Sequence, residues 1–153
     1  MVVLDGRSHY ARREKFPHAD EVIVRSASSV LPPLDPWTVA VLMSHSYSQD
    51  LAALRELSGL PIRYLGILGP VKRTRQLFAD AGLDSANIAA SVHGPMGLDI
   101  GADGPEQVAL AVISEIQAFL NGRAGGSLQA QNGSIHAPVG DSTAAWVQSI
   151  VCA

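Results

Sequence analysis

The densest chemistry in this chain lies between Tyr64 and Arg75. There an apolar run passes Gly66 and Gly69 and enters a helix start bearing Lys72, Arg73 and Arg75. Unbonded amides and the helix dipole favour an anion at such a point. Cations in a first turn oppose that dipole, so their presence calls for an explanation. A phosphate-bearing ligand held by Gly66, Gly69, Arg73 and Arg75 supplies one, and a solvated basic face is the alternative. A second candidate is Asp5, which follows Val2-Val3-Leu4. At the end of such a strand a carboxylate accepts hydrogen bonds from ribose hydroxyls, and Arg7 can pair with a phosphate or stack on adenine. Asp5-Gly6 also reads as a plain turn. Ser44-His45-Ser46-Tyr47 follows the run Thr38–Met43. His45 could donate to a ligand or shuttle a proton. Otherwise it is a loop histidine, with Ser48 capping the next helix. Last, the segment from His93 to Gly101 holds Gly94, Pro95 and Gly97. A loop so built is tightly folded and suited to lining a site. His93 could touch a ligand and Asp99 could orient a backbone amide, or the loop simply caps the helix that follows.

Other chemistries are excluded. No His-x-x-x-His or similar spacing exists for a metal. No Gly-x-Ser-x-Gly elbow or Cys–His pairing indicates covalent catalysis. The single cysteine, Cys152, excludes an internal disulfide framework and a cysteine-cluster zinc site. The net charge of −3 argues against nucleic-acid binding through bulk electrostatics. No apolar run reaches the roughly 18 residues of a membrane span. The opening Met1–Asp5 has no basic leader pattern, so a cytoplasmic location is expected.

These residues need a scaffold. The chain has 153 residues, 47% hydrophobic and only 16% charged, with a mean hydropathy of +0.17. That balance fits a sheet covered on both faces, or a large buried interface. Val2–Leu4, Glu21–Val24, Thr38–Met43 and Ile62–Leu68 read as strands, the last broken by Gly66. The run Thr38–Met43 is continuous and β-branched, as a central parallel strand requires. Ser8–Glu14 predicts two helical turns capped by Ser8. Gln49–Leu57, Val71–Ala81 and Pro105–Asn121 predict helices, with Pro105 at a first-turn position. Alternating strands and helices give an α/β, Rossmann-like three-layer fold with a mostly parallel sheet. Residues 1–122 form that domain. Residues 123–153 are a polar linker followed by a docking segment, helix or strand, around Trp146–Ile150. No Gly-x-Gly-x-x-Gly turn exists, and Val2–Asp5 reads as the second strand of such a fold. The chain therefore reads as lacking a first βα unit.

Two segments carry a resemblance. Tyr64-Leu65-Gly66-Ile67-Leu68-Gly69 with Arg73 is similar to the Tyr-Ile-Gly-x-Leu-Gly-Ser-x-Arg signature of the XdhC/CoxI family, with Pro70 at the serine position. The segment from His93 to Ala102, with Pro105-Glu106, closely resembles that family's His-x-Pro-Ile-Gly-Leu-Asp-Ile-Gly-Ala loop. Leu4-Asp5-Gly6-Arg7 resembles its Val-Asp-Pro-Arg, and Ser44-His45-Ser46 stands at its Thr-His-Asp. The resemblance covers residues 1 to about 122 and implies the C-terminal Rossmann domain of an accessory factor without its N-terminal region. Such factors bind molybdenum cofactor, protect it and help deliver its sulfurated form to xanthine dehydrogenase or carbon monoxide dehydrogenase. That is a chaperone's role and not turnover, so no catalytic residue is expected. The implied ligand is molybdopterin, or a nucleotide-extended pterin. The implied partner is a molybdenum hydroxylase apo-enzyme, and the implied site is the set of residues named above.

Two rival readings stand beside this one, an NAD(P)-binding oxidoreductase-like domain and a non-catalytic interaction module. The missing strand leads to a further expectation. Either its neighbours pair directly, or open edges draw in a second copy or a partner chain. A homodimer or a tight complex with a partner chain is expected, with Val2–Asp5 or Trp146–Ile150 at the contact.

Overall fold

The computed structural model describes residues 1–26, 31–130, 135 and 150–152. Among the described residues, six strands form one sheet: β1 (Val2–Asp5), β2 (Glu21–Val24), β3 (Val39–Leu42), β4 (Tyr64–Ile67), β5 (Ser91–His93) and β6 (Ile150–Cys152). Their order is β2-β1-β6-β3-β4-β5, and every pairing is parallel. The helices are α1 (Tyr47–Leu57), α2 (Val71–Ala81) and α3 (Pro105–Leu120). The fold is α/β and Rossmann-like, as the alternation predicts. No described helix is long and apolar enough to cross a membrane.

β3 and β4 are buried along their whole length, which is why their sequences read as continuous apolar runs. α1 buries Asp50, Ala53, Leu54 and Leu57, one face at helical spacing, and α2 buries Thr74 and Leu77. Leu42, Leu54, Leu57, Leu65, Ile67 and Leu77 sit together in the core. α2 ends at Gly82, whose φ of 70° lets the Leu83 amide donate back to the Phe78 carbonyl.

Four local expectations are corrected. β4 runs unbroken through Gly66, which pairs with Val41 on one side and His93 on the other. Ser46, not Ser48, caps α1, accepting from the Gln49 amide. Ser8–Glu14 is no helix. The chain turns back at Arg7 and makes a 3-10 turn at Arg13–Lys15, because only Ala11 offers the core an apolar side chain. β5 is an additional strand; its three half-buried residues give almost no alternation to read.

The expectation of a lacking first strand has a different outcome from both alternatives. β1 and β3 neither pair directly nor face open space, because β6 lies between them and bonds to each. Trp146, part of the expected docking segment, lies outside the described residues, and the strand begins at Ile150.

The chain divides into two compact units. The first carries the sheet, α1 and α2. The second begins at Met96 and carries the glycine-rich loop and α3. There Pro105 opens α3, while the Gln107 side chain accepts from the Asp103 and Gly104 amides. Ala111 and Ile116 are buried, and Leu110 and Ile113 are exposed.

Candidate functional site

Parallel strands bring all their carboxyl ends to one edge of the sheet. The strand order reverses between β1 and β3, and open α/β sheets bind ligands at that point. A cavity of about 380 Å³ opens there, lined by Asp5, Arg7, Tyr10, Phe16, Met43 and His45 among others. β1 delivers Asp5 at its last position, and the turn that follows folds Arg7 back on it. Arg7 Nε donates to Asp5 Oδ1 at 3.0 Å and Nη2 to Oδ2 at 2.9 Å. The Arg7 amide adds a third bond to Oδ1 at 2.9 Å. This fork holds the Asp5 carboxyl below its ordinary range; burial opposes it and the backbone bond assists it. Oδ1 accepts two of these bonds and Oδ2 one, so Oδ2 keeps acceptor capacity for a ligand N–H or O–H.

The same turn places Tyr10 under two cations. The Arg7 guanidinium lies 4.1 Å from its ring centre and the Lys15 ammonium 4.2 Å. Phe16 and Met43 add apolar wall, and His45 stands exposed at the rim. The cavity thus combines one carboxylate, the Arg7 cation and apolar surface, with Lys15 joined to its lining only through the Tyr10 ring contact. That set can hold a planar, anionic molecule with donor groups on one edge.

Behind His45 lies a buried polar network. Ser44 Oγ is 2.6 Å from Asp50 Oδ1 and 2.9 Å from the Ser46 carbonyl, and it accepts the Ser46 amide at 3.2 Å. Asp50 is only 1% exposed, and Arg73 Nη2 donates to its second oxygen at 2.5 Å. Arg73 also lies 5.4 Å from the Tyr47 ring, whose hydroxyl donates to Asp80 at 2.7 Å. Gly69, at φ +123°, makes room for this arrangement, since a Cβ there would stand 3.0 Å from Arg73 Cδ. Gly69 of the β4–α2 turn and Arg73 of the first turn of α2 therefore clamp α2 to α1. Sequence reading missed Asp50, although its place among the core positions of α1 is a readable signal. It missed Tyr10, which it had assigned to the Ser8–Glu14 helix, and Lys15 just beyond it.

The remaining candidates are dispersed. Gly66 is buried within β4 and does not belong to the turn. Arg75 is exposed and borders another cavity, of about 480 Å³, with Val71, Thr74 and Gly94. His93 ends β5, stacked on Tyr64 at 4.4 Å between ring centres, and lies 3.0 Å from Ser91 Oγ. Gly97 and Asp99 belong to the second unit. There the Gly97 amide donates to Glu115 at 2.5 Å and its φ is +110°, while Asp99 is exposed.

Residues 1–116 match the family described as the XdhC Rossmann domain. This chain belongs to that family. It is 32% identical over 118 residues to a Bacillus subtilis (strain 168) protein named as a probable xanthine dehydrogenase subunit, covering 76% of this chain and 34% of the relative. It is 31% identical over 118 residues to the uncharacterized protein YqeB of Escherichia coli (strain K12), covering 74% and 21%. The crystal structure of a xanthine dehydrogenase from Bacillus halodurans superposes with a TM-score of 0.64 at 29% identity, over 79% of this chain and 36% of that one. This XdhC chain thus spans about a third or less of each relative's length. Its Rossmann match takes in β1 to β5 and most of α3, whereas β6 lies beyond it.

Proposed function

We propose that this XdhC domain is an accessory module for a molybdenum hydroxylase of the xanthine dehydrogenase type, and that it holds a phosphate-bearing pterin of the molybdopterin class. Kinship to a protein named for xanthine dehydrogenase supports the partner class. One observation carries the ligand class: the Asp5–Arg7 fork over Tyr10 in the cavity at the carboxyl ends of β1 and β3, with Lys15, not itself a lining residue, on the same ring. The donor set fits the group. Arg7 and Lys15 would hold the phosphate, and Asp5 would accept from the pterin's amino edge. Phe16 and Met43 would cover the ring plane. When bound, the cofactor supplies the redox centre that the client enzyme uses. This chain's residues bind it, orient it and keep water from it.

Fluorescence titration with a phosphorylated pterin tests the reading, with NAD and NADP as competitors. Saturable pterin binding is expected, weakened about tenfold or more by Arg7→Ala or Lys15→Ala, as when a charged hydrogen bond is lost. Binding of NAD or NADP but of no pterin would transfer the site to the dinucleotide reading.

A further inference from the structure

β6 is bonded on both flanks. Val2 pairs with Val151 and Val3 with Cys152, while Val39, Ala40 and Val41 pair with Ile150, Val151 and Cys152. It is the third strand of six, so the inner edges of β1 and β3 depend on it for their backbone hydrogen bonds. Val3, Val39, Ala40 and Val41 are all buried, so withdrawal of β6 would open two apolar edges in the middle of the core.

β6 is short, at three residues, and comes from far along the chain. α3 ends at Leu120 and β6 begins at Ile150. The connection of about 30 residues can span at most on the order of 100 Å at about 3.3 Å per residue. A domain of this length is about 40 Å across. Reach alone therefore does not tie β6 to the slot of its own chain.

We propose that the slot between β1 and β3 is a strand-acceptor site whose second occupant is β6 of another copy, giving a reciprocal strand-swapped dimer. The slot takes a parallel strand in one register, with small or β-branched neighbours on both sides. A second copy presents that strand without alteration. The exchange keeps every ladder bond, which makes swapping a low-cost route to a dimer. A net charge of only −3 leaves little repulsion between copies.

Light scattering on the full chain, from micromolar to millimolar and before and after refolding at high concentration, tests this. A species of twice 16.1 kDa is expected to accumulate on concentrated refolding. After dilution it should decay slowly, since each β6 must leave a central position. Val151→Pro removes a ladder donor from β6 and should abolish that species. A mass of 16.1 kDa under every condition overturns the proposal. So does a dimer that survives Val151→Pro, which would mark an ordinary surface contact. If that variant does not fold, isotope-labelled and unlabelled dimers of the unmodified chain decide. Hybrids that form only after co-refolding support the swap, and hybrids that form at once on mixing refute it.

Discussion

Asp50 shows how one buried charge sets the role of its neighbours. A carboxylate 1% exposed needs an ionised partner, and Arg73, itself 24% exposed, is that partner. Arg73→Ala would leave Asp50 buried and uncompensated. The expected loss is about 2–3 kcal/mol, below the range for fully buried pairs because Arg73 keeps some solvent. Urea unfolding measures it, and an Arg73→Met/Asp50→Asn double variant should recover much of the loss. Asp5 predicts a pH effect. Arg7's side-chain bonds depress its folded pKa, so its stabilisation is fully present above the unfolded value of about 3.9 and fades as pH falls through the folded one. The stability gap between the unmodified chain and Asp5→Asn should be constant at neutral pH and close on acidification. Among single residues, Asp5 and Arg7 were legible because a strand end announces itself in sequence. Asp50 was missed and Arg73 was read without it because their link is tertiary, joining two helices.

At the scale of elements, the turn between β4 and α2 is the most constrained. Gly69→Ala forces a side chain into the left-handed region, about 1–2 kcal/mol, and presses its Cβ on Arg73. The denaturant midpoint should fall with an unchanged slope. If the clamp matters as argued, Gly69→Ala combined with Arg73→Ala should cost less than the sum of the two, because the clash goes with the arginine. β3, β4, α1 and α2 were legible because burial writes its own period into sequence. The 3-10 turn was not, because Ser8–Glu14 contains helix-compatible residues and only the shortage of core contacts decides against a helix. Gly66 misled for a related reason. A glycine reads as a break, but in β4 both of its neighbours are strands and the ladder carries it through.

For the whole molecule, the parallel Rossmann-like sheet followed from the alternation of apolar runs and helices. The sequence also pointed to the position between β1 and β3 as one that needs a strand. What fills it was not legible, because Ile150–Cys152 is too short to announce a strand and its pairing joins opposite ends of the chain. That pairing also imposes an order of events. Loop closure over such a distance is slow, and ladders that depend on it form late. β1 and β3 leave the ribosome early, yet neither gains its inner neighbour until residues 150–152 follow. A nascent chain stalled with Ile150–Cys152 still in the exit tunnel should therefore keep β1 and β2 open to protease. The same chain released should become resistant across residues 1–26. Until Ile150–Cys152 dock, β1 and β3 stand half-paired, a period in which a chaperone at the tunnel mouth would have the most to protect.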